Sequence, residues 1–558
     1  MTASDAAGPT EENARDDARA AGAPQRFRWR LVVSGVPLFV WLVTLLHVLV
    51  MVVNVGFWAP NRGPDEFRHV GLSMGVASGA VLPWPDPGTF STTKGVSAGL
   101  LSPGLAVGKT LYSAAAAPPT RSAWPSYADR GGDDPGARPN QLVQHPPTFY
   151  YLMGAALHAL PDYADRPYID VYLFLRLINV LLLAPLTLLV YAAAKRALGS
   201  GPAASASAVA VLAIPQVARN GASVENDNLL VLLLAALTVL TIFVLTGDTS
   251  RRTALGIGVL GALALLTKGL SLFLPLYLAV VYAYALSRYG RRAVVPALIA
   301  LAVAGFGSGW WWLRNMIVFG VIQPEGNQIV QNGLGPPRTT WADTGVQFAE
   351  NFVRRMNYRF WLDAHIWAPP TWVEYFDAIL AVVLVAGLVA GLATARRSPS
   401  FGLSRALIVL VPATCQLGII TVGAWHSWQS TLFPSGQQGR YIYGGLLGLL
   451  VVSCAGLARL LGTRAHLLPV AVLAGGLFVT LVQFTLGFRI YYTPRHHTSY
   501  WNDLTEGSHN LLAWSPLPAT AFWTAVAATA IAAVVALWSA TATTRTARTG
   551  AHARHPSF

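Results

Sequence analysis

The chain has 558 residues, 54% of them hydrophobic and 11% charged, with a net charge of +14 and a mean hydropathy of +0.47. Soluble globular proteins carry about 25% charged residues, so too little polar surface is available to face water, and lipid is expected to cover most of the chain. A positive balance of this size would suggest nucleic acid in a soluble protein, but Lys and Arg gather in short loops between apolar runs, the pattern of membrane topology, and no nucleic-acid partner is expected.

Residues 1–30, rich in Ala, Asp, Glu and Arg, read as a disordered cytoplasmic tail. The apolar run that follows is too long for a signal-peptide core and has no clear small-residue cleavage site, so it is expected to remain as the first span. Runs of about 20 apolar residues place about twelve transmembrane helices near 31–57, 171–193, 203–219, 228–246, 253–267, 269–287, 293–313, 374–394, 402–423, 441–460, 467–488 and 516–540. The fold class is therefore all-α, a polytopic integral membrane protein. Residues 253–267 and 269–287 can also be read as one broken helix. Cys415 and Cys454 both lie inside apolar runs, so no disulfide framework is indicated.

Orientation follows from the basic residues. Arg26, Arg28 and Arg30 precede the first span, while Lys195-Arg196, Arg251-Arg252, Arg291-Arg292, Arg396-Arg397 and Arg459 with Arg464 fall in every second loop. Arg545, Arg548 and Arg554 lie in a basic tail, 541–558, after the last span. Both termini are expected in the cytoplasm of a multi-pass cell-membrane protein. The long connections 58–170, 314–373, 424–440 and 489–515 then all lie outside, with most tryptophans at or beyond the outer interface.

Two outer stretches suggest interfacial helices. Residues 142–160, LVQHPPTFYYLMGAALHAL, are apolar but short for a span. Within 341–361, Phe348, Phe352, Met356 and Phe360 recur every four residues beside Arg354, Arg355 and Arg359. Such a stripe fits a helix in the headgroup layer, or one packed on the protein's own loops.

Four basic residues break the inside pattern: Arg176, Lys268, Arg314 and Arg440 sit at outer span ends. Each taken singly can snorkel to headgroups. Together they suggest a pocket for an anionic group at headgroup depth, such as a lipid phosphate. Acids accompany them on the same side. Asp65-Glu66 follows a turn-like Asn61-Arg62-Gly63-Pro64, and Glu225 with Asp227 stands at the mouth of the fourth span, where both also suit simple helix capping. His145 precedes a Pro pair and an aromatic run. The sequence has no phosphate-cradling glycine loop with Lys-Ser/Thr, no paired CxxC, no HExxH and no GxSxG serving a nucleophile.

The segments GPDEFRH, QHPPTFYYL, RNGASVENDNLL, LTKGLSLFLPL, GWWWLRNMIVFG and QQGRYIYG come in the order found in a family of bacterial predicted membrane proteins of unassigned function, which resembles the GT-C glycosyltransferases. That superfamily includes the protein mannosyltransferases and the lipid A aminoarabinose transferases, and the resemblance spans about residues 30–460. It implies a GT-C-like fold and a catalytic carboxylate in the first outer loop, matched here by Asp65 with Glu66 beside it. It also implies a polyprenyl-phosphate sugar donor in the bilayer and an extracytoplasmic glycan, lipid or protein acceptor, in the assembly of cell-envelope polysaccharide. Asp65 would act as general base in an inverting displacement. Glu66 would position Asp65, hold the acceptor or bind a divalent cation, and the sequence leaves these open. Lys268, Arg314, Arg440 and Arg176 are the residues expected at the donor phosphate. His145, Asp227, Asn315 and Tyr441 are expected on the sugar or acceptor side. The Trp310-Trp311-Trp312 run suits sugar or prenyl stacking as well as an interface belt. Larger relatives carry a C-terminal soluble domain that this sequence lacks, so acceptor recognition is expected to rest on the outer loops or on a partner.

Two other classes compete, a transporter or flippase of lipid-linked sugars and a non-catalytic scaffold for envelope assembly. Transporters tend to place ionisable residues near the midplane of an internal repeat, whereas these gather at the outer edge.

Overall fold

Apolar runs of helix-forming residues, cut by Pro, Gly and Asn-rich turns, set the architecture. The computed structural model describes residues 35–81, 84–86, 89, 112–128, 140–324, 338–362, 370–398, 401–433, 436–493 and 499–552. The expected tail at 1–30, parts of all four expected outer loops, and residues 553–558 lie outside the described residues. Among those described, β-structure is confined to an isolated bridge between Ser126 and Pro167.

In chain order the helices are α1 Leu38–Phe57, α2 Glu66–Ala77, α3 Thr148–Leu157, α4 Tyr168–Leu183 and α5 Leu186–Leu198. Next come α6 Pro202–Val209, α7 Pro215–Gly221, α8 Asn226–Leu245, α9 Arg251–Leu265, α10 Leu274–Tyr289 and α11 Val294–Phe319. The series closes with α12 Trp341–Trp361, α13 Thr371–Ala395, α14 Leu403–Thr431, α15 Leu446–Leu461, α16 Leu468–Tyr491, α17 Tyr500–Trp514 and α18 Ala519–His552.

Eight stretches among the described residues are long and apolar enough to cross a membrane. Two of them, Gly269–Phe319 and Gly439–Tyr491, contain the pairs α10/α11 and α15/α16. The exact count of about twelve spans is not confirmed. The run at 203–219 divides into α6 and α7, because Pro215 has no N–H for a preceding turn and begins a new helix instead. Residues 253–267 and 269–287 are two helices, not one, parted by the turn that carries Lys268. The last helix runs past the expected boundary at 540, to His552.

Burial distinguishes the bundle's axis from its rim. In α8, 94% of the most apolar window is covered by protein, against 17% in α13 and 22% in α18, so α8 is central and the other two face lipid. Helices α13 and α15 approach closely because glycines line their seam: a methyl at Gly456 would collide with the carbonyl of Gly387 and the amide of Gly391. The stripe on α12 packs inward. Phe348, Phe352 and Met356 are buried against Ile420, Ala424 and Trp428 of α14, with Thr340 and Asp343 capping the helix start.

Candidate active site

The first outer loop is held by one guanidinium. Arg176, on α4, donates from Nη1 to the carbonyls of Val55 (3.0 Å) and Trp58 (2.5 Å), and from Nη2 to Ala59 O (3.0 Å). It then meets Glu66 in a two-pronged pair, Nε to Oε1 at 2.7 Å and Nη2 to Oε2 at 2.6 Å, with both side chains fully out of solvent. The Glu66 carboxylate also accepts the amides of Gly63 (3.2 Å) and Val224 (3.1 Å). Arg62 steadies the same loop, donating to the Tyr112 hydroxyl at 2.6 Å and lying over the Tyr491 ring. Glu66 and Arg176 are thus committed to each other and to backbone. Neither presents a free charge to a phosphate or a cation; of the three roles expected for Glu66, this geometry accommodates the positioning of Asp65.

Asp65 faces the other way. It adopts φ +52°, rare for a residue other than glycine and tolerated best by Asn and Asp. Its side chain is about one-third exposed and pairs with Arg68 at 2.6 Å. One helical turn on, His69 lies on the same face of α2. Its ring stacks on Tyr150 of α3, with His69 Nδ1 3.1 Å from the Tyr150 hydroxyl.

The opposite wall comes from three turns. Asn228 ties the 220–228 turn by donating to Asn179 Oδ1, Asn220 O and Ser223 O. That turn sets Glu225 and Asp227 at the N-terminus of α8, where the helix dipole favours acids. Asp227 Oδ1 is 2.5 Å from Lys268 Nζ. Arg440 Nε is 2.6 Å from Glu225 Oε1 and 3.3 Å from Asp227 Oδ2. Tyr441 completes the group, its ring lying under Lys268 and beside Arg440. Two acids and two bases, all buried, therefore form a charge-balanced quartet. Arg440 is placed by α12: Gly439 sits against the backbone of Met356 and Phe360, and the Tyr443 hydroxyl donates to Phe360 O at 2.5 Å.

The loop before α3 closes the space between the walls. Thr148 N donates to Leu266 O at 3.2 Å, which brings the loop carrying His145 beside Lys268. His145 is buried, and its Nδ1 has no partner. Burial, then Lys268, holds His145 down to about 3 against the opposing pull of Asp227. His69 is likewise lowered well below the ordinary imidazole range, by burial first and then by Lys268 and His145. Both rings are neutral at neutral pH. The Tyr150 phenol is raised well above its ordinary value by burial and by the charges of Asp227, Asp65 and Glu225. Helix α3 thus bridges the two walls, Tyr150 meeting His69 on one side and Thr148 meeting the Leu266 carbonyl on the other.

The remaining expected residues lie further out. Arg314 points to the surface, pairing with Asp86 at 2.9 Å and flanking Trp311. Trp311 touches Trp84, which in turn touches Tyr150, so Arg314 stands at the end of an aromatic path into the site. Asn315 is buried and donates to Ile322 O at 3.0 Å, fixing the turn that presses Gln323 onto Gly269 beside Lys268. Sequence reading passed over His69 and Tyr150. The Asp65/His69 spacing of four was the available signal for the first, and only the tertiary contact reveals the second. Among the described residues, no group of three or more His, Cys, Asp or Glu is arranged to hold a metal ion.

The chain belongs to a family of predicted membrane proteins designated DUF2142, which matches residues 45–449. No curated protein matches it significantly. Among solved structures it is similar to ArnT from Cupriavidus metallidurans bound to undecaprenyl phosphate, at 14% identity over 90% of this chain and 77% of that one, with a TM-score of 0.42. It is also similar to the Archaeoglobus fulgidus oligosaccharyltransferase in complex with Zn and sulfate, at 11% identity over 84% of this chain and 55% of that one, TM-score 0.41. The archaeal oligosaccharyltransferase AglB from the same organism, in complex with an inhibitory peptide and a dolichol-phosphate, matches at 12% identity over 88% and 56%, TM-score 0.38. All three likenesses are distant.

Proposed function

We propose that this chain is a membrane-embedded glycosyltransferase, moving a sugar from a polyprenyl-phosphate donor to an acceptor hydroxyl outside the cytoplasmic membrane. The observation that supports this reading is a partly exposed carboxylate, Asp65, on one wall and two buried cations, Lys268 and Arg440, on the other, with α3 linking the walls through His69–Tyr150 and Thr148–Leu266. A transfer reaction needs a proton acceptor on one side of the reacting carbon and fixed positive charge on the other.

Asp65 takes the proton of the acceptor hydroxyl as its oxygen bonds to the anomeric carbon. The bond from that carbon to the phosphate oxygen breaks on the opposite face, and its electron pair leaves with the lipid phosphate. Lys268 and Arg440 receive the developing charge, and the configuration inverts. Glu225 and Asp227 hold the two cations in place before the donor arrives. Glu66 and Arg176 are positioning residues that fix the loop bearing Asp65. His69, Tyr150, His145 and Tyr441 line the sugar side as neutral hydrogen-bonding groups, and Arg314 stands at the approach. Asp65→Asn tests the reading: sugar transfer in isolated membranes should be lost at normal protein abundance. Transfer retained by Asp65→Asn would leave transport or scaffolding as the function.

A further inference from the structure

We propose that the cavity between α12 and α13 is a binding site for a primary ammonium group carried by an amphiphile, an aminophospholipid headgroup. The cavity measures about 530 Å³, within the size range of small-molecule sites. One wall is a single face of α12, formed by Ala349, Glu350, Val353, Arg354, Asn357 and Tyr358. The other is one face of α13, formed by Glu374, Asp377 and Ala378.

Asp377 carries the inference. It is fully buried, and neither carboxylate oxygen has a hydrogen-bond partner. Buried carboxylates are normally satisfied by donors or cations, and the chain supplies Asp377 with neither. Its nearest charged neighbour along α13, Glu374, repels a second negative charge and already has Arg354 at 3.5 Å. Around the cavity Glu374 and Asp377 of α13 and Glu350 of α12 outnumber Arg354 of α12, a balance that favours a cation. An ammonium with N–H bonds can donate to Asp377 and Glu374 at once, while Arg354 stands ready for a phosphate on the same molecule. Asp377 lies in the second turn of α13, which faces lipid along most of its length, so acyl chains have a path to the cavity. The site is separate from the quartet around Lys268, and its occupation does not depend on the proposed transfer reaction.

The test is native mass spectrometry of the detergent-purified full chain with phosphatidylethanolamine, phosphatidylcholine and phosphatidylglycerol of matched acyl chains. Phosphatidylethanolamine should be retained about tenfold better than phosphatidylcholine, whose trimethylammonium cannot donate. Asp377→Asn should erase that preference. Should Asp377→Asn fail to fold, Glu374→Gln, at a partly exposed position, should reduce it. Equal retention of the ethanolamine and choline lipids would overturn the proposal, as would a preference unchanged in the folded variant. Strongest retention of phosphatidylglycerol would also overturn it, showing that only the basic face of α12 binds lipid.

Discussion

Adjacent acids should behave as opposites when mutated. Glu66→Gln strips the charge from a pair with no solvent access and leaves the Arg176 guanidinium buried without its counter-ion. Removing one partner of a buried pair costs about 3–5 kcal/mol, and the weakened anchoring of the Gly63 and Val224 amides adds to the loss. Asp65→Asn breaks only a partly exposed contact with Arg68, three residues away, a class of pair worth about 0–1 kcal/mol. Thermal unfolding in detergent, read beside sugar transfer in membranes, separates the two. Glu66→Gln should unfold at clearly lower temperature, and what remains folded should keep only part of its turnover, because the loop bearing Asp65 is held less firmly. Asp65→Asn should melt like the wild type and lose transfer by about 10²–10⁴-fold. Combining Glu66→Gln with Arg176→Met should restore part of the lost stability, because no orphan charge remains. A normal melting temperature for Glu66→Gln, or a low one for Asp65→Asn, would refute the division of labour between the two acids.

Further outcomes follow from the same geometry. Lys268→Ala and Arg440→Ala should each lower turnover by about 10²–10³-fold, whereas Arg314→Ala, at the surface on Asp86, should change it far less; transfer assays with a labelled polyprenyl-phosphate sugar check the contrast. Gly456→Ala should destabilise the α13–α15 seam by about 1–3 kcal/mol, while Gly475→Ala, where nothing lies within 4 Å, serves as the neutral control in melting experiments. His145 gives a pH signature. Its folded-state value is about 3 against an ordinary 6.5. Above the higher value the ring is neutral in both states and favours neither. As pH falls from 6.5 toward 3, the unfolded chain takes up the proton first, so stability is lost by at most about 1.4 kcal/mol per pH unit. His145→Gln should show a shallower acid-side fall in melting temperature, His69 still contributing; unchanged slopes would show that His145 is not held neutral.

Much of this was legible from residue chemistry alone. Charges stranded among apolar residues drew attention to Lys268, Arg440 and Asp227, and the structure brings all three together. The period-four stripe gave α12 its residues and its buried face, though not the surface that face meets. The partnership of Glu66 with Arg176 spans 110 residues of chain, and no local pattern encodes it. Arg314 looked equivalent to Lys268 in sequence because both follow apolar runs, yet α11 ends with that side chain turned toward Asp86. The break between α6 and α7 was signalled by Pro215, but the Ala- and Val-rich composition on either side masked it.

The balance inside the quartet has a consequence for selectivity. A bare lysine–arginine pair at the edge of a bilayer would attract any anionic headgroup drifting past. With Glu225 and Asp227 already on those cations, an incoming anion has to displace a carboxylate before it can bind. On the proposed function, abundant lipids that offer a phosphodiester and little else would gain too little from the exchange, whereas a donor that also brought a sugar to His69, Tyr150 and Tyr441 would have further contacts to offset it. The resident acids would thus work as a competitive filter, keeping the centre vacant for the rarer molecule.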